Sequence, residues 1–233
     1  MRAAVSPLFA LLCSLAGGSL VGCGSEPPLA TASASAPTAL GYATRVVSFT
    51  KGEKGGFHEE LLPGVVLGPP RGNGCCAGSL DVLSLGNGGE IVLAFEHDIV
   101  DGPGTDFLVF ENSFEVSGDP TNVVAEPAEV SVSMDGVHWT AFPCTATKFP
   151  YGTCAGWHPV YASPDQPLDP EHPEAAGGDP FDLATIGVRR ARYLRIRDMN
   201  GRFPAAAPTA GFDLDAIAVL HPAASVGGSP TDP

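Results

Sequence analysis

The chain has 233 residues, with 26 acidic side chains against 12 lysines and arginines and a formal net charge of −14. Such a surface repels nucleic-acid phosphates and anionic headgroups, which argues against either as an electrostatically recruited partner. Only 16% of the residues are charged, while 29 glycines and 23 prolines punctuate the chain, a profile of short strands and tight turns rather than of helices.

In chain order, the first element is a targeting segment over residues 1–22. Arg2 supplies a positive start, and an apolar, small-residue run follows from Pro7 to Leu20, the length of a signal core. It is too short and too rich in Gly and Ser for a spanning helix, which needs about 20 apolar residues. The run ends in Leu20-Val21-Gly22-Cys23. This resembles the lipobox of bacterial lipoproteins. The resemblance implies cleavage before Cys23, acylation of its thiol and attachment to a lipid membrane, each buried CH2 contributing about 0.8 kcal/mol. Gly24 stands where that family's inner-membrane retention signal would have Asp, so the resemblance implies the outer membrane or cell surface. An ordinary secretory signal with a chance cysteine is the alternative.

Residues 23–41 are small, polar and proline-containing and read as a flexible tether; residues 223–233 read as a disordered tail. A single all-β domain is expected over 42–222. Strands are predicted at 44–49, 65–67, 80–85, 91–95, 107–111, 129–134, 137–142, 193–197 and 214–220. The plainest turn is Asp135-Gly136, which fits a two-residue type I′ hairpin with positive φ at both positions. Alternation over 192–197 places Leu194 and Ile196 inside and the arginines outside. One short helix is predicted at 180–186, with Asp179 as N-cap, Pro180 at its first position, Asp182 in its first turn and Gly187 as its stop.

Four cysteines remain beyond Cys23, and an oxidising compartment favours disulfides. Cys144–Cys154 closes a short loop and leaves Cys75 and Cys76 as adjacent partners; crossed pairing or a thiol metal site are the alternatives. Two acidic groups stand out: Asp101, Asp106, Glu111 and Asn112, then Asp213 and Asp215. Oxygen ligands on glycine-rich turns suit a structural Ca2+, although the spacing is not that of an EF-hand. Asp213 and Asp215 share one strand face at a spacing of two; the alternative is that each Asp caps a turn or faces water. Trp139 on a strand reads as core. Trp157 and Tyr161, in a Gly/Pro-rich stretch, are candidates to stack on a ligand, and Arg195 is a further candidate ligand-binding residue. Glu96, Glu111 and Glu115 are available for a carboxylate-dependent glycoside hydrolase, but no G-x-S-x-G, H-E-x-x-H or phosphate-binding glycine loop occurs.

Val130-Ser-Val-Ser-Met-Asp-Gly-Val-His-Trp-Thr, with the later Ala191-Arg-Tyr-Leu-Arg-Ile-Arg-Asp, is similar to the discoidin-type, galactose-binding-like β-sandwich. Asp101-Gly-Pro-Gly-Thr-Asp-Phe-Leu-Val-Phe-Glu-Asn and Gly211-Phe-Asp-Leu-Asp-Ala look like bacterial cell-surface proteins. The resemblance implies a jelly-roll sandwich, often with a structural Ca2+, that binds carbohydrate or another surface ligand through loops at one end. An insertion at about 143–180 departs from that pattern and could cover or rebuild the binding face. The expectation is therefore a membrane-anchored, non-catalytic binding module for a glycan or surface protein. A structural or adhesive protein without a small ligand is the alternative, and a glycoside hydrolase a further one.

Overall fold

The computed structural model describes residues 40–199 and 210–224. The signal segment, Cys23, nearly all of the tether and all but the first two residues of the tail lie outside them. Eleven strands are described: β1 (Gly41–Thr50), β2 (Leu83–Ser84), β3 (Glu90–Val100), β4 (Phe107–Glu111), β5 (Phe114–Glu115), β6 (Val123–Val124), β7 (Ala128–Ser133), β8 (Thr140–Ala141), β9 (Asp179–Phe181), β10 (Arg190–Asp198) and β11 (Asp213–Val219). Every pairing is antiparallel. One curled sheet runs in the order β8-β7-β10-β3-β1-β11-β4-β9, with β2 also on β11 and β5-β6 as a separate hairpin.

The curl is made by β1. Gly41 and Tyr42 pair with Val219 and Ala218 of β11, and from Ala43 onward the strand pairs with β3 instead. Register shifts between Ala43 and Arg45 and between Val46 and Ser48 mark the bend, as bulges do at sheet corners. The two halves then face each other as an all-β sandwich. Leu93, Val130, Val132, Leu194 and Ile196 from one half meet Phe107, Val109, Leu214 and Ile217 from the other in one buried cluster.

The insertion after β8 lies on the outer face of the β4/β11 half. Val160, Ala162, Leu168 and Ala176 pack there on Leu108, Phe110, Ala216, Ala218 and Leu220. Both faces of β4 and β11 are therefore buried, which is why 107–110 and 216–220 read as continuous apolar runs rather than as alternation. Covering each large side chain contributes about 1.5–3 kcal/mol, enough to hold a segment that has little regular structure of its own.

Several expectations are corrected. The helix predicted at 180–186 is not formed. Asp179–Phe181 is an edge strand on β4, where Pro180 opposite Leu108 sits at the sheet's border. A 3-10 turn follows at Leu183–Ile186; Asp182, not Asp179, caps it by accepting from Ala184 N at 2.8 Å, and Gly187 ends it at φ 68°. Residues 65–67 enter a 3-10 turn, Gly64–Val66, rather than a strand. In 80–85 only Leu83–Ser84 pairs, and Leu80 is 74% exposed. Trp139 is not core: it is half-buried on the outer surface, with the Arg195 guanidinium 4.6 Å from its ring centre.

Candidate functional site

Antiparallel pairing of Leu214 with Glu111 brings the end of β4 beside the start of β11, so residues about a hundred positions apart share one end of the sandwich. Glu111 and Asp213 come from these two strand ends, and Glu126 from the loop leading into β7. One carboxylate oxygen of each lies within 4.8 Å of the others. Glu126 Oε1 accepts from Gly211 N at 2.9 Å. Gly211 has φ 86°, and a side chain there would strike Gly86 carbonyl carbon at 2.4 Å, so the loops close over the acids only with glycine present.

The electrostatics are severe. Burial pushes Glu111 well above the usual carboxylate range, and the nearby charges of Asp213, Glu126 and Asp179 push it further. Burial, with the charge of Asp213, raises Glu126 to about 7. Asp213 is raised by burial to about 6, although the Ser84 hydroxyl and Asn112 amide beside it favour its charged form. Glu111 is 1% exposed, and its Oε2 has no hydrogen-bond partner; nor does Asp213 Oδ1. Among the described residues, no lysine, arginine or histidine forms an ion pair with any of the three.

An aromatic loop borders the same acids. The Cys144 and Cys154 sulfurs are at bonding distance, and the loop between them carries Phe149 and Tyr151. Trp157 stands 5.7 Å from Phe149, 6.3 Å from Tyr151 and 3.6 Å from His158, ring centre to ring centre. Phe149 is 36% exposed, and the other three rings are half-buried. Ala155 exchanges both backbone bonds with Ala128, two residues after Glu126. At Gly156 a Cβ would meet Glu126 O at 2.5 Å. Asp179 anchors the segment from beneath: Oδ2 accepts from Gly156 N at 2.6 Å, and Oδ1 lies 2.7 Å from His158 Nδ1.

The structure brings together only some of the residues that the sequence singles out. Glu111 and Asp213 meet, with Asn112 beside Asp213. Asp101 and Asp106 fall in another acidic group with Asp182, where Asp106 accepts from Gly102 N and Leu183 N, both at 2.7 Å. Those two bonds give its carboxylate a sufficient structural task. Asp215 is separated from Asp213 by a register shift in β11 between Leu214 and Ala216, and both its oxygens accept from Arg71 N. The bulge undoes the spacing-of-two argument. Trp157 joins the aromatic cluster, whereas Tyr161 stands outside it against the Gly177 turn. Arg195 belongs to the outer sheet face with Trp139 and Ser131.

Cys75 and Cys76 are at bonding distance, with Glu115 close to both. Glu96 borders a groove of about 620 Å3 with Tyr42, His97 and Pro222, at the other end of β11; Glu96, Glu111 and Glu115 are thus dispersed. Sequence reasoning missed Glu126, an isolated acid before Pro127 that nothing local distinguishes. It also missed the His158–Asp179 contact, because Asp179 has a plausible local role as a helix cap. Comparison with protein-family models and with curated proteins finds no match.

Proposed function

We propose that this chain is an exported lipoprotein, anchored to a membrane through acylated Cys23, whose sandwich is a non-catalytic binding module for carbohydrate or an envelope partner. The carrying observation is the cluster of partly exposed rings, Phe149, Tyr151, Trp157 and His158, on one tied-down loop. Phe149, Tyr151 and Trp157, steep to one another, offer both faces and edges, which suits the alternating C–H and O–H surfaces of a sugar. Aromatic side chains held in advance lose little entropy when a ligand arrives. Trp157 Nε1 already donates to Cys154 O at 3.0 Å, which fixes the indole plane and leaves stacking as its contribution.

Binding is preferred to hydrolysis because the acids that converge, Glu111 and Glu126, do so in a buried cluster rather than across an open cleft. Glu111 borders a narrow recess with Gly72, Gly78 and Ser113, too tight for a sugar ring.

The test is a glycan array, with envelope extracts in parallel, probed with the wild-type chain and a Trp157→Ala variant. Binding that falls about tenfold or more in the variant, as expected for a central aromatic contact, supports the module. Binding to no glycan or envelope component, or binding indifferent to Trp157, overturns it. Intact-mass analysis from the native host tests the anchor separately: a mature chain starting at Cys23 with attached acyl chains is expected.

A further inference from the structure

We propose that Glu111, Glu126 and Asp213 together hold one Ca2+ ion at the end of the sandwich. The cluster is more than a concentration of acids, because Glu111 is 1% exposed and its Oε2 has no partner. A buried carboxylate oxygen left unpaired costs several times what an ordinary hydrogen bond contributes, and Asp213 Oδ1 is in the same condition. No N–H or O–H donates to either orphan oxygen, whereas one cation between the carboxylates would satisfy both. Oxygens bound to one Ca2+ at about 2.3–2.6 Å stand no more than about 5 Å apart, and the three carboxylates offer oxygens within 4.8 Å of one another.

The donor set chooses the ion. It is all oxygen, with neither thiolate nor imidazole, which favours a hard cation over Zn2+ or Cu2+. The three donors come from two strand ends and a loop; backbone carbonyls or water would have to complete the six to eight positions that Ca2+ takes. Mg2+ demands a tighter octahedron and keeps its waters, a poor match to three largely buried carboxylates. The flanking acids are already spent on the scaffold. Asp198 accepts from Gly88 N at 2.7 Å and Phe212 N at 3.0 Å, and Asp179 serves Gly156 and His158. Through Gly211 and Gly156, which touch Glu126 from two sides, the ion would fix the loop that carries the rings. The proposal stands whichever ligand those rings take, because its probe is the metal alone.

The test is calorimetric titration of the chelator-stripped full chain with CaCl2, and separately with MgCl2. The Glu111→Gln, Glu126→Gln and Asp101→Asn variants are titrated in the same way. One Ca2+ per chain is expected, weakened about tenfold or more in both glutamate variants, with Asp101→Asn matching wild type. Glu126→Gln changes a half-buried position and keeps the test alive should Glu111→Gln fail to fold. Absence of Ca2+ binding up to millimolar concentration overturns the proposal. So does binding lost in Asp101→Asn but kept in the glutamate variants, or binding of Mg2+ in preference.

Discussion

Asp135 shows how one side chain can shape a turn that a dipeptide pattern describes only in part. Its Oδ1 accepts from Val137 N and His138 N, both at 2.8 Å, and its Oδ2 lies 2.7 Å from His138 Nδ1. Ser133 Oγ accepts from Gly136 N at 2.9 Å. Only Gly136 of the pair has positive φ, so the predicted two-residue type I′ hairpin gives way to a wider loop, and β8 is confined to Thr140–Ala141. The Asx bonds replace the backbone turn. Hydrogen bonding to His138 and to the loop N–H groups holds Asp135 far below the usual carboxylate range. The same contact raises His138 above 6.5. Two signs follow. The His138 contribution to stability is complete below pH 6.5 and lost as pH rises through its raised folded value; the Asp135 contribution is present above its ordinary value of 3.8 and lost as pH falls through its depressed one. Both groups face water, so the effect belongs in titration rather than in melting. An NMR titration should place His138 above 6.5 in the wild type and back near 6.5 in Asp135→Asn. An ordinary midpoint in both would mean that the bond is not populated in solution.

At the scale of elements, the disulfide-closed loop is where the insertion acts. Cys144 and Cys154 are ten positions apart, and closing a loop of that size removes unfolded-state entropy worth about 3 kcal/mol. The paired variant Cys144→Ala/Cys154→Ala should therefore melt roughly 6–12 °C lower for a molecule of this length, followed by far-ultraviolet circular dichroism. Unchanged melting would mean that contacts such as Ala155 with Ala128 already fix the loop. The sequence made this bridge legible through compartment and spacing, and it made β7 and β10 legible through alternation, since Val130, Val132, Leu194 and Ile196 all enter the core. It did not reveal β5, β6 or β9. These are two or three residues long, too short for any period to register, and β9 contains a proline that reads more naturally as a helix start. Trp139 misled for a related reason: its size suggested the core, but past the wider turn its ring lies over Arg195.

For the molecule as a whole, the question is what closes the end of the sandwich where β4, β11 and the loop into β7 meet. Glu111 and Asp213 were visible beforehand as acids near glycine-rich turns. Glu126 was not, because nothing local distinguishes a lone glutamate before a proline; only the pairing of Ala128 with Asp198 and with Ala155 carries it to the others. Without a cation, folding must either protonate these carboxylates or crowd their charges in a desolvated space, and both work against folding. With Ca2+ bound only in the folded state, stability rises with the logarithm of free ion, by about 2.7 kcal/mol at a hundredfold excess over Kd, or roughly 5–10 °C in melting temperature for a chain of this length. Glu111→Gln separates the two contributions. The amide keeps the carboxylate's shape and removes the cost of protonating or charging a buried acid on folding, so in chelator the variant should melt at or above the wild type. In excess Ca2+ the order should reverse, because the wild type gains the ion and the variant gains little. Differential scanning calorimetry of both proteins in both buffers gives four melting temperatures. A wild type insensitive to Ca2+, or a variant that melts far below it in chelator, would mean that the buried carboxylates are held by a purely structural arrangement.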